Sequence, residues 1–322
     1  MKLANVLGVL PGTNPDKNRE SVVVGAHYDH LGLGWPDVHD GDEGEVHNGA
    51  DDNASGVAVL LELARVLQRS PQERTVIFAA FTGEEAGLLG SRHFLGHSGS
   101  YRPEGIVGMV NLDTVGRLES RKLTVFGVGS ARQMIHVVMG AGYVTGLETE
   151  PVSDDPGGSD QVSFLEKGVP AIQLFTGPHA DYHRPGDDPE KLDYGGMVRV
   201  AAFAKEIIDY LAATGTPPTP TIAGSSARPE GKQGPRKVSL GTVPDFGYKG
   251  SGVRISGVVP GSAAEHAGLR EGDVVTGIDD TPIASLRDLS DQLKQHRPGD
   301  RISISYVRDG KQLSTSATLG KR

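Results

Sequence analysis

The stretch of sequence that decides the fold is residues 21–30, SVVVGAHYDH. Its first six residues are small or β-branched and carry no charge, which is typical of a β-strand. The apolar run stops at His27, and the polar residues Tyr28, Asp29 and His30 follow directly. The pattern therefore predicts a strand at residues 21–26 with polar side chains at its carboxyl end.

The same alternation of patterns continues along the first 214 residues. Further strands are predicted at residues 4–10, 74–81, 106–112, 123–126 and 171–175. Apolar residues at helical spacing predict helices at residues 54–69 and 194–213. Strands that alternate with helices predict an α/β fold with a mostly parallel central sheet flanked by helices, in which ligands gather at the carboxyl ends of the strands.

Candidate metal ligands follow several of these predicted strands or lie in the loops between them. They lie at the strand exits 27–30 and 84–85, in the polar loop at 49–56 that contains Asp51 and Asp52, and at Asp113 and His183. The chain contains no cysteine, so any bound metal is held by His, Asp and Glu. Imidazole and carboxylate groups at successive strand exits have the ligand types of a pair of borderline divalent ions such as zinc.

Length and composition narrow the class of protein. A chain of 322 residues with 37% hydrophobic and 23% charged residues is globular and long enough for two domains. It has no run near the ~18 apolar residues of a membrane span. The net charge of −9 disfavours nucleic acid and anionic membranes as partners. The first residues lack the apolar core of a secretory signal, which predicts a cytosolic protein or a trimmed mature form.

Four motifs occur in order between residues 5 and 211: GAHYDHLG, NGADDNASG, FTGEEAGLLGS with NLD behind it, and YHRPGDD. With these motifs the segment resembles the co-catalytic di-zinc aminopeptidases, metallopeptidase family twenty-eight. The resemblance implies that Asp52 bridges two zinc ions and precedes a cis peptide. Glu85 and His183 would complete one site, and His27 and Asp113 the other. Cobalt and manganese also suit such ligands.

The resemblance also implies roles for residues beside the metals. Glu84 would be the general base and acid that takes a proton from a metal-bridging water and gives it to the leaving amine. Asp29 would bind the second ring nitrogen of His27 and fix its tautomer. Tyr182 would donate its hydroxyl to the oxyanion. Asp160, in the segment GGSDQ, would lie behind the ligands, although a helix cap is an equal interpretation.

A second domain is predicted after a linker. Residues 215–237 are rich in proline and glycine, which separates a first domain at 1–214 from residues 238–322. The last segment resembles a PDZ domain, a small partly open β-barrel that binds an extended peptide at a sheet edge. Here Gly250, Ser251 and Gly252 would form the carboxylate loop, and a strand from Val253 to residue 258 would receive the peptide. A docked domain with a blocked groove is the alternative.

The sequence thus predicts a zinc-dependent aminopeptidase that acts on peptides with a free N-terminus. The ligand spacing alone would also allow a carboxypeptidase or an amidohydrolase. A glutaminyl cyclase-like transferase, which uses one zinc, and a catalytically retired scaffold that acts through its PDZ domain are the other hypotheses. Relatives of this kind are mostly secreted or periplasmic, but the chain shows no signal peptide, so its compartment stays open.

Overall fold

The structure is a computed structural model that describes residues 3–36, 38–39, 41–97, 99, 101–155, 158–222, 237–245, 248 and 250–321. The chain divides into two compact units. The first contains residues 1–32, 46–177 and 183–228, and the second contains residues 33–45, 178–182 and 229–322. In the described part of the chain, no helix is both long and apolar enough to cross a membrane.

A seven-stranded sheet forms the centre of the first unit. Its strands are β1 (Val6–Leu10), β2 (Ser21–His27), β3 (Thr75–Phe81), β4 (Ile106–Leu112), β5 (Leu123–Phe126), β6 (Thr149–Val152) and β7 (Ala171–Phe175). They lie in the order β1-β3-β2-β4-β7-β5-β6. The pairs β2–β3, β2–β4, β4–β7 and β5–β6 are parallel, whereas β1–β3 and β5–β7 are antiparallel. The predicted mostly parallel sheet is therefore confirmed.

The described residues of this unit also form the helices α1 (Gly56–Leu67), α2 (Leu89–His97), α3 (Met134–Thr145), α4 (Gln161–Glu166) and α5 (Tyr194–Ala213). The two helices predicted from periodicity are present as α1 and α5. The helical spacing of apolar residues also places Leu61 of α1 and Val198 of α5 on the buried faces, but both are exposed. Leu63 and Val200 are buried in the shared core instead.

Strand β1 lies at one edge of the sheet and is apolar on both of its faces. Val6, Leu7 and Val9 are all exposed, although each of the five residues of β1 pairs with β3. In contrast, strands β2 and β4, whose carboxyl ends carry the candidate ligands His27 and Asp113, are buried along their whole length. The ligand-bearing part of the sheet is therefore its rigid interior and not its edge.

The second unit contains a β-rich domain. Its strands are β8 (Val238–Ser239), β9 (Thr242–Pro244), β10 (Val253–Val258), β11 (Val274–Ile278), β12 (Thr281–Pro282), β13 (Arg301–Arg308), β14 (Lys311–Thr318) and β15 (Gly320–Lys321), and its helices are α6 (Ala263–His266) and α7 (Leu286–Leu293). Five strands follow the order β14-β13-β11-β10-β9, and β12 pairs with β11. Leu289 and Leu293 of α7 pack in one core with Leu240 and Ile255.

The predicted peptide-receiving strand needs correction. Strand β10 pairs with β11 on one side and with β9 on the other, so neither of its edges is open to a peptide. The preceding turn at Gly250–Gly252 is also engaged, since the Gly252 N–H donates to the Ala284 carbonyl. In the described residues, the two end strands of this sheet are β9, which lies beside β10, and β14.

Part of the predicted linker contacts the first unit. The Gln133 side chain accepts a hydrogen bond from the Thr219 N–H at 2.9 Å. The Thr221 N–H donates to the Ser130 carbonyl at 3.0 Å. Residues 223–236 of the predicted linker lie outside the described residues. The domain boundaries at residues 214 and 238 stay predictions.

Candidate metal centre

Four neighbouring strands bring the predicted ligands together. His27 is the last residue of β2, Asp113 follows β4 directly, and Glu85 lies four residues beyond β3. His183 lies in the segment that follows β7. Since β3, β2, β4 and β7 are adjacent and parallel, their carboxyl ends meet at one edge of the sheet. This is where ligands bind in open α/β sheets.

The two oxygens of the Asp52 carboxylate face two different sets of donors. Oδ1 lies 3.1 Å from His27 Nε2, which is itself 3.5 Å from Asp113 Oδ1. Oδ2 lies 3.2 Å from His183 Nε2, which is 3.3 Å from Glu85 Oε2. The sequence-predicted ligands therefore form two groups that share only Asp52.

The loop that carries Asp52 is fixed against the end of β4. The Asn53 side chain donates to the Leu112 carbonyl at 2.9 Å and accepts from the Gly56 N–H at 3.1 Å. A side chain at residue 56 would meet the Leu112 carbonyl oxygen at 2.4 Å, so only glycine lets α1 begin this close to β4. The peptide between Asp52 and Asn53 is cis, as the resemblance implies.

A buried charged network lies behind this loop. Asp187 is fully buried, and its Oδ2 accepts from the backbone N–H groups of Asp51 and Asp52 at 2.9 and 3.0 Å. Its Oδ1 accepts from Arg117 Nη2 at 2.7 Å. The Asp51 carboxylate accepts from the Gly116 N–H at 2.6 Å. Because Asp187 is four residues from His183, this network ties the Asp52 loop to the His183 segment.

His30 also borders the centre. Its Nδ1 lies 2.8 Å from Glu85 Oε1, and its ring packs edge-on to the His183 ring with 5.8 Å between the ring centroids. The potential ligand atoms of His30, Asp52 and Glu85 all lie within 4.8 Å of one another. The sequence alone gave His30 no role.

The other predicted catalytic residues are placed as follows. The Asp29 carboxylate is 3.9 Å from His27 Nδ1, which is too long for a hydrogen bond. The Asp29 backbone carbonyl lies 3.1 Å from this nitrogen instead, while the carboxylate accepts from the Glu84 N–H at 3.2 Å. Asp29 thus contacts both His27 and Glu84, but by different atoms than predicted. Tyr182 is 42% exposed and packs edge-on to His179.

Mutual proximity shifts the pKa values of the ionisable groups in this centre. Burial disfavours the charged form of His27, but Asp113 and Asp52 outweigh it and hold the His27 pKa well above its usual range. Burial also opposes ionisation of Asp52, yet hydrogen bonds from His183 and His27 lower the Asp52 pKa. As a metal ligand, His27 would have to lose its proton, because a ligating imidazole must be neutral.

The pKa values of two further carboxyl groups, Glu84 and Asp160, are raised, whereas the Asp52 pKa is lowered. Burial raises the pKa of Glu84 well above its usual range, and the nearby charges of Glu85 and Asp113 add to this effect while His27 opposes it. Burial likewise raises the pKa of Asp160 to about 7. A carboxyl group that changes protonation near neutral pH suits proton transfer.

The five predicted ligands fit zinc-type ions by chemistry and by spacing. Zinc binds imidazole nitrogen and carboxylate oxygen at about 2.0–2.2 Å, so ligand atoms on one tetrahedral ion lie roughly 3.3–3.6 Å apart. The four donor contacts measure 3.1, 3.5, 3.2 and 3.3 Å, which is close to this spacing. The contacts that each histidine makes with its two carboxylates are therefore compatible with a shared ion.

Comparison with known proteins agrees with this geometry. Residues 5–208 match the model of peptidase family M28, which is more than half of the chain. The chain belongs to peptidase family M28. Residues 229–319 match the model of the PDZ domain, so the M28 domain is followed by a PDZ domain.

Individual relatives of the M28 domain are aminopeptidases. The chain is 30% identical over 217 residues to aminopeptidase YwaD of Bacillus subtilis (strain 168), covering 63% of this chain and 44% of the relative. A solved zinc aminopeptidase from Bacillus subtilis superposes with a TM-score of 0.55 at 26% identity, covering 68% of this chain and 53% of that one. An aminopeptidase from Aneurinibacillus sp. strain AM-1 gives a TM-score of 0.54 at 26% identity, covering 69% and 50%. The chain spans about half the length of these relatives.

Some residues of the centre had no signal in the sequence analysis. Asp187 lies inside the quoted motif YHRPGDD, where the pair Asp187–Asp188 marked a polar turn without showing which carboxylate is buried. Arg117 has no local pattern at all, because its partners Asp51 and Asp187 are distant in sequence. Both become recognisable only when the sheet brings the segments together.

Proposed function

We propose that the M28 domain is a zinc-dependent aminopeptidase with a two-ion centre. The observation that carries the proposal is the Asp52 carboxylate, whose oxygens face His27 with Asp113 on one side and His183 with Glu85 on the other. A carboxylate in this position suits a bridge between two ions. The aminopeptidase relatives support the same activity.

Glu84 is the proposed general base and acid. When bound, the metal ions supply Lewis acidity that activates water and polarises the scissile carbonyl. The Glu84 carboxylate takes up the proton that the attacking water loses and delivers it to the amine of the leaving peptide. Its raised pKa in the metal-free protein fits a group that holds a proton between these two steps. Asp29 positions Glu84 by accepting its backbone N–H. Tyr182 is retained as the proposed hydroxyl donor to the oxyanion.

Removal and return of metal test the activity. Chelator-stripped protein is expected to release no amino acid from unblocked peptides, and added zinc is expected to restore release because no other electrophile lies among the ligands. Cobalt and manganese are tested in the same way. N-acetylated versions of the same peptides serve as controls and are expected to stay intact.

The products separate the alternatives. Liberated N-terminal amino acids support the aminopeptidase, whereas loss of ammonia from N-terminal glutamine supports a glutaminyl cyclase. Release from the C-terminus of the N-acetylated peptides supports a carboxypeptidase. Absence of any product with every metal would leave the scaffold hypothesis, in which the chain acts through its PDZ domain.

We further propose that the PDZ domain binds an extended peptide with a free C-terminal carboxylate along β9. In the described residues, β9 has β10 on one side and no strand on the other. Gly241 and Asp245 bond to the β10 side. The backbone N–H and carbonyl groups of Thr242 and the carbonyl group of Pro244 therefore face away from β10, since the backbone groups of successive strand residues alternate in direction. Thr242 offers both an N–H and a carbonyl to a peptide, and Pro244 offers only its carbonyl.

A substitution at Thr242 tests this edge. Thr242→Pro removes the outward N–H without removing a hydrogen bond to β10, and we expect it to weaken binding of a C-terminal peptide to the full chain by about tenfold. Ser251→Ala, in the turn before β10, is the matched control and should bind like the unmodified protein. Fluorescence polarisation measures both with free and amidated peptides. Weaker binding for Ser251→Ala alone would return the site to the Gly250–Gly252 turn.

A further inference from the structure

We propose that His30 is a positioning residue that orients the Glu85 carboxylate for its metal ion. This inference rests on the proposed metal centre and adds a residue to it. The contact that carries it joins His30 Nδ1 to Glu85 Oε1 at 2.8 Å, while the other oxygen, Oε2, faces His183 Nε2 at 3.3 Å. The two oxygens of Glu85 are therefore used for different purposes.

The distances separate an orienting contact from a ligand contact. Donor atoms that converge on one ion are about 3.3–3.6 Å apart, and the contacts among the five predicted ligands measure 3.1–3.5 Å. The contact between His30 and Glu85 is 2.8 Å, which is the length of a charge-assisted hydrogen bond. A ring nitrogen that donates its proton to a carboxylate has no lone pair left for a metal ion, so His30 Nδ1 acts here as the donor to Glu85 Oε1 and not as a ligand atom.

The surroundings of His30 hold its ring in this orientation. The side chain is only 10% exposed, and the ring lies so close to Gly49 that a Cβ at residue 49 would meet it at 2.7 Å. The edge-on contact with His183 supports the ring on another side. His30 Nε2 is buried without a hydrogen-bond partner in the structure, so Nδ1 is the nitrogen that binds a protein group.

A fixed carboxylate binds metal better than a mobile one. With Oε1 occupied by His30, the Glu85 side chain cannot rotate freely, and Oε2 stays directed at the position shared with His183 and Asp52. Loss of such a supporting hydrogen bond typically costs 10–100-fold in metal affinity. The effect should be confined to the ion held by Glu85 and His183.

Two substitutions at His30 test this role. His30→Leu removes the donor and keeps an apolar side chain, whereas His30→Asn keeps an N–H donor near the position of Nδ1. Zinc affinity is measured by competition with a chromophoric chelator, and circular dichroism verifies that each variant is folded. We expect His30→Leu to lose about 10–100-fold in affinity for one of two ions and His30→Asn to recover most of it. His97→Asn, on the exposed end of α2, should match the unmodified protein.

The cobalt spectrum distinguishes positioning from ligation. If His30 only orients Glu85, the visible absorption of the cobalt-loaded His30→Asn variant keeps the intensity of the unmodified protein. A changed intensity in both variants, which indicates a changed coordination number, would make His30 a ligand and overturn the inference. Unchanged zinc affinity of His30→Leu would overturn it as well. Failure of the unmodified protein to bind two zinc ions would instead contradict the proposed function.

Discussion

Glu84→Gln is expected to lower kcat for amino acid release by about two to four orders of magnitude while both zinc ions stay bound. The amide is nearly isosteric with the carboxyl group but cannot accept the proton of the attacking water. KM should change much less, because the substitution leaves the ligand groups in place. Steady-state kinetics and zinc analysis of the same preparation measure both quantities.

The neighbouring residue provides the matched control. Glu85→Gln alters a predicted ligand, so we expect it to lose zinc as well as activity, and excess zinc should restore part of the activity. The two variants differ by one position, and only Glu85→Gln is expected to lower the zinc content. Full activity of Glu84→Gln would exclude Glu84 as the base, and if no activity exists to lose, the retired scaffold becomes the better hypothesis.

Asp187→Ala is expected to destabilise the M28 domain by about 3–5 kcal/mol, because it removes the nearer of the two carboxylates that pair with the buried Arg117 guanidinium, at 2.7 Å, and leaves Asp51 at 3.8 Å. The backbone N–H groups of Asp51 and Asp52 lose their acceptor at the same time. For a domain of this size the loss corresponds to a decrease in Tm of roughly 6–20 °C. Zinc retention should fall too, since the Asp52 loop is no longer tied to the His183 segment.

Asp188→Ala, one residue further on, is the control for this variant. The Asp188 carboxylate accepts an exposed hydrogen bond from Asn48 at 2.7 Å, and its removal should cost no more than about 1 kcal/mol. Differential scanning calorimetry of the metal-free and zinc-loaded forms compares the two. Equal destabilisation by both substitutions would mean that the buried network behind Asp52 contributes little to the free energy of unfolding.

The first domain was largely predictable because its signals are local. Buried parallel strands are continuous apolar runs, and the strands at 106–112, 123–126 and 171–175 were predicted with the bounds that the structure shows. Strand β6 was missed, since its four residues TEPV include a charge and a proline and its stability comes from pairing with β5. The exposed faces of α1 and α5 were misplaced at Leu61 and Val198 because apolar residues occur on both sides of these helices.

The centre was predictable only as a set of candidate ligands. Strand exits and motifs identify the candidate residues. They do not show which oxygen of Asp52 or Glu85 contacts which histidine, because sequence patterns do not encode side-chain orientation. The roles of Arg117 and Asp187 depend on contacts between segments about 70 residues apart. In the PDZ domain, the sequence pattern wrongly predicts that β10 has the open edge. The three-residue strand β9 has too short a pattern to be predicted, and it is identified in the structure by its pairing with β10.

The proposed ligands lie between residues 27 and 183, and neither of the two proposed metal sites is formed by one contiguous segment. Such a centre has a high contact order, so it forms only after loops of more than a hundred residues have closed. Unlike a zinc finger, whose metal organises a short unfolded peptide, this domain must build its sheet before its donors converge. We therefore expect metal ions to bind late in folding, after the central sheet has formed.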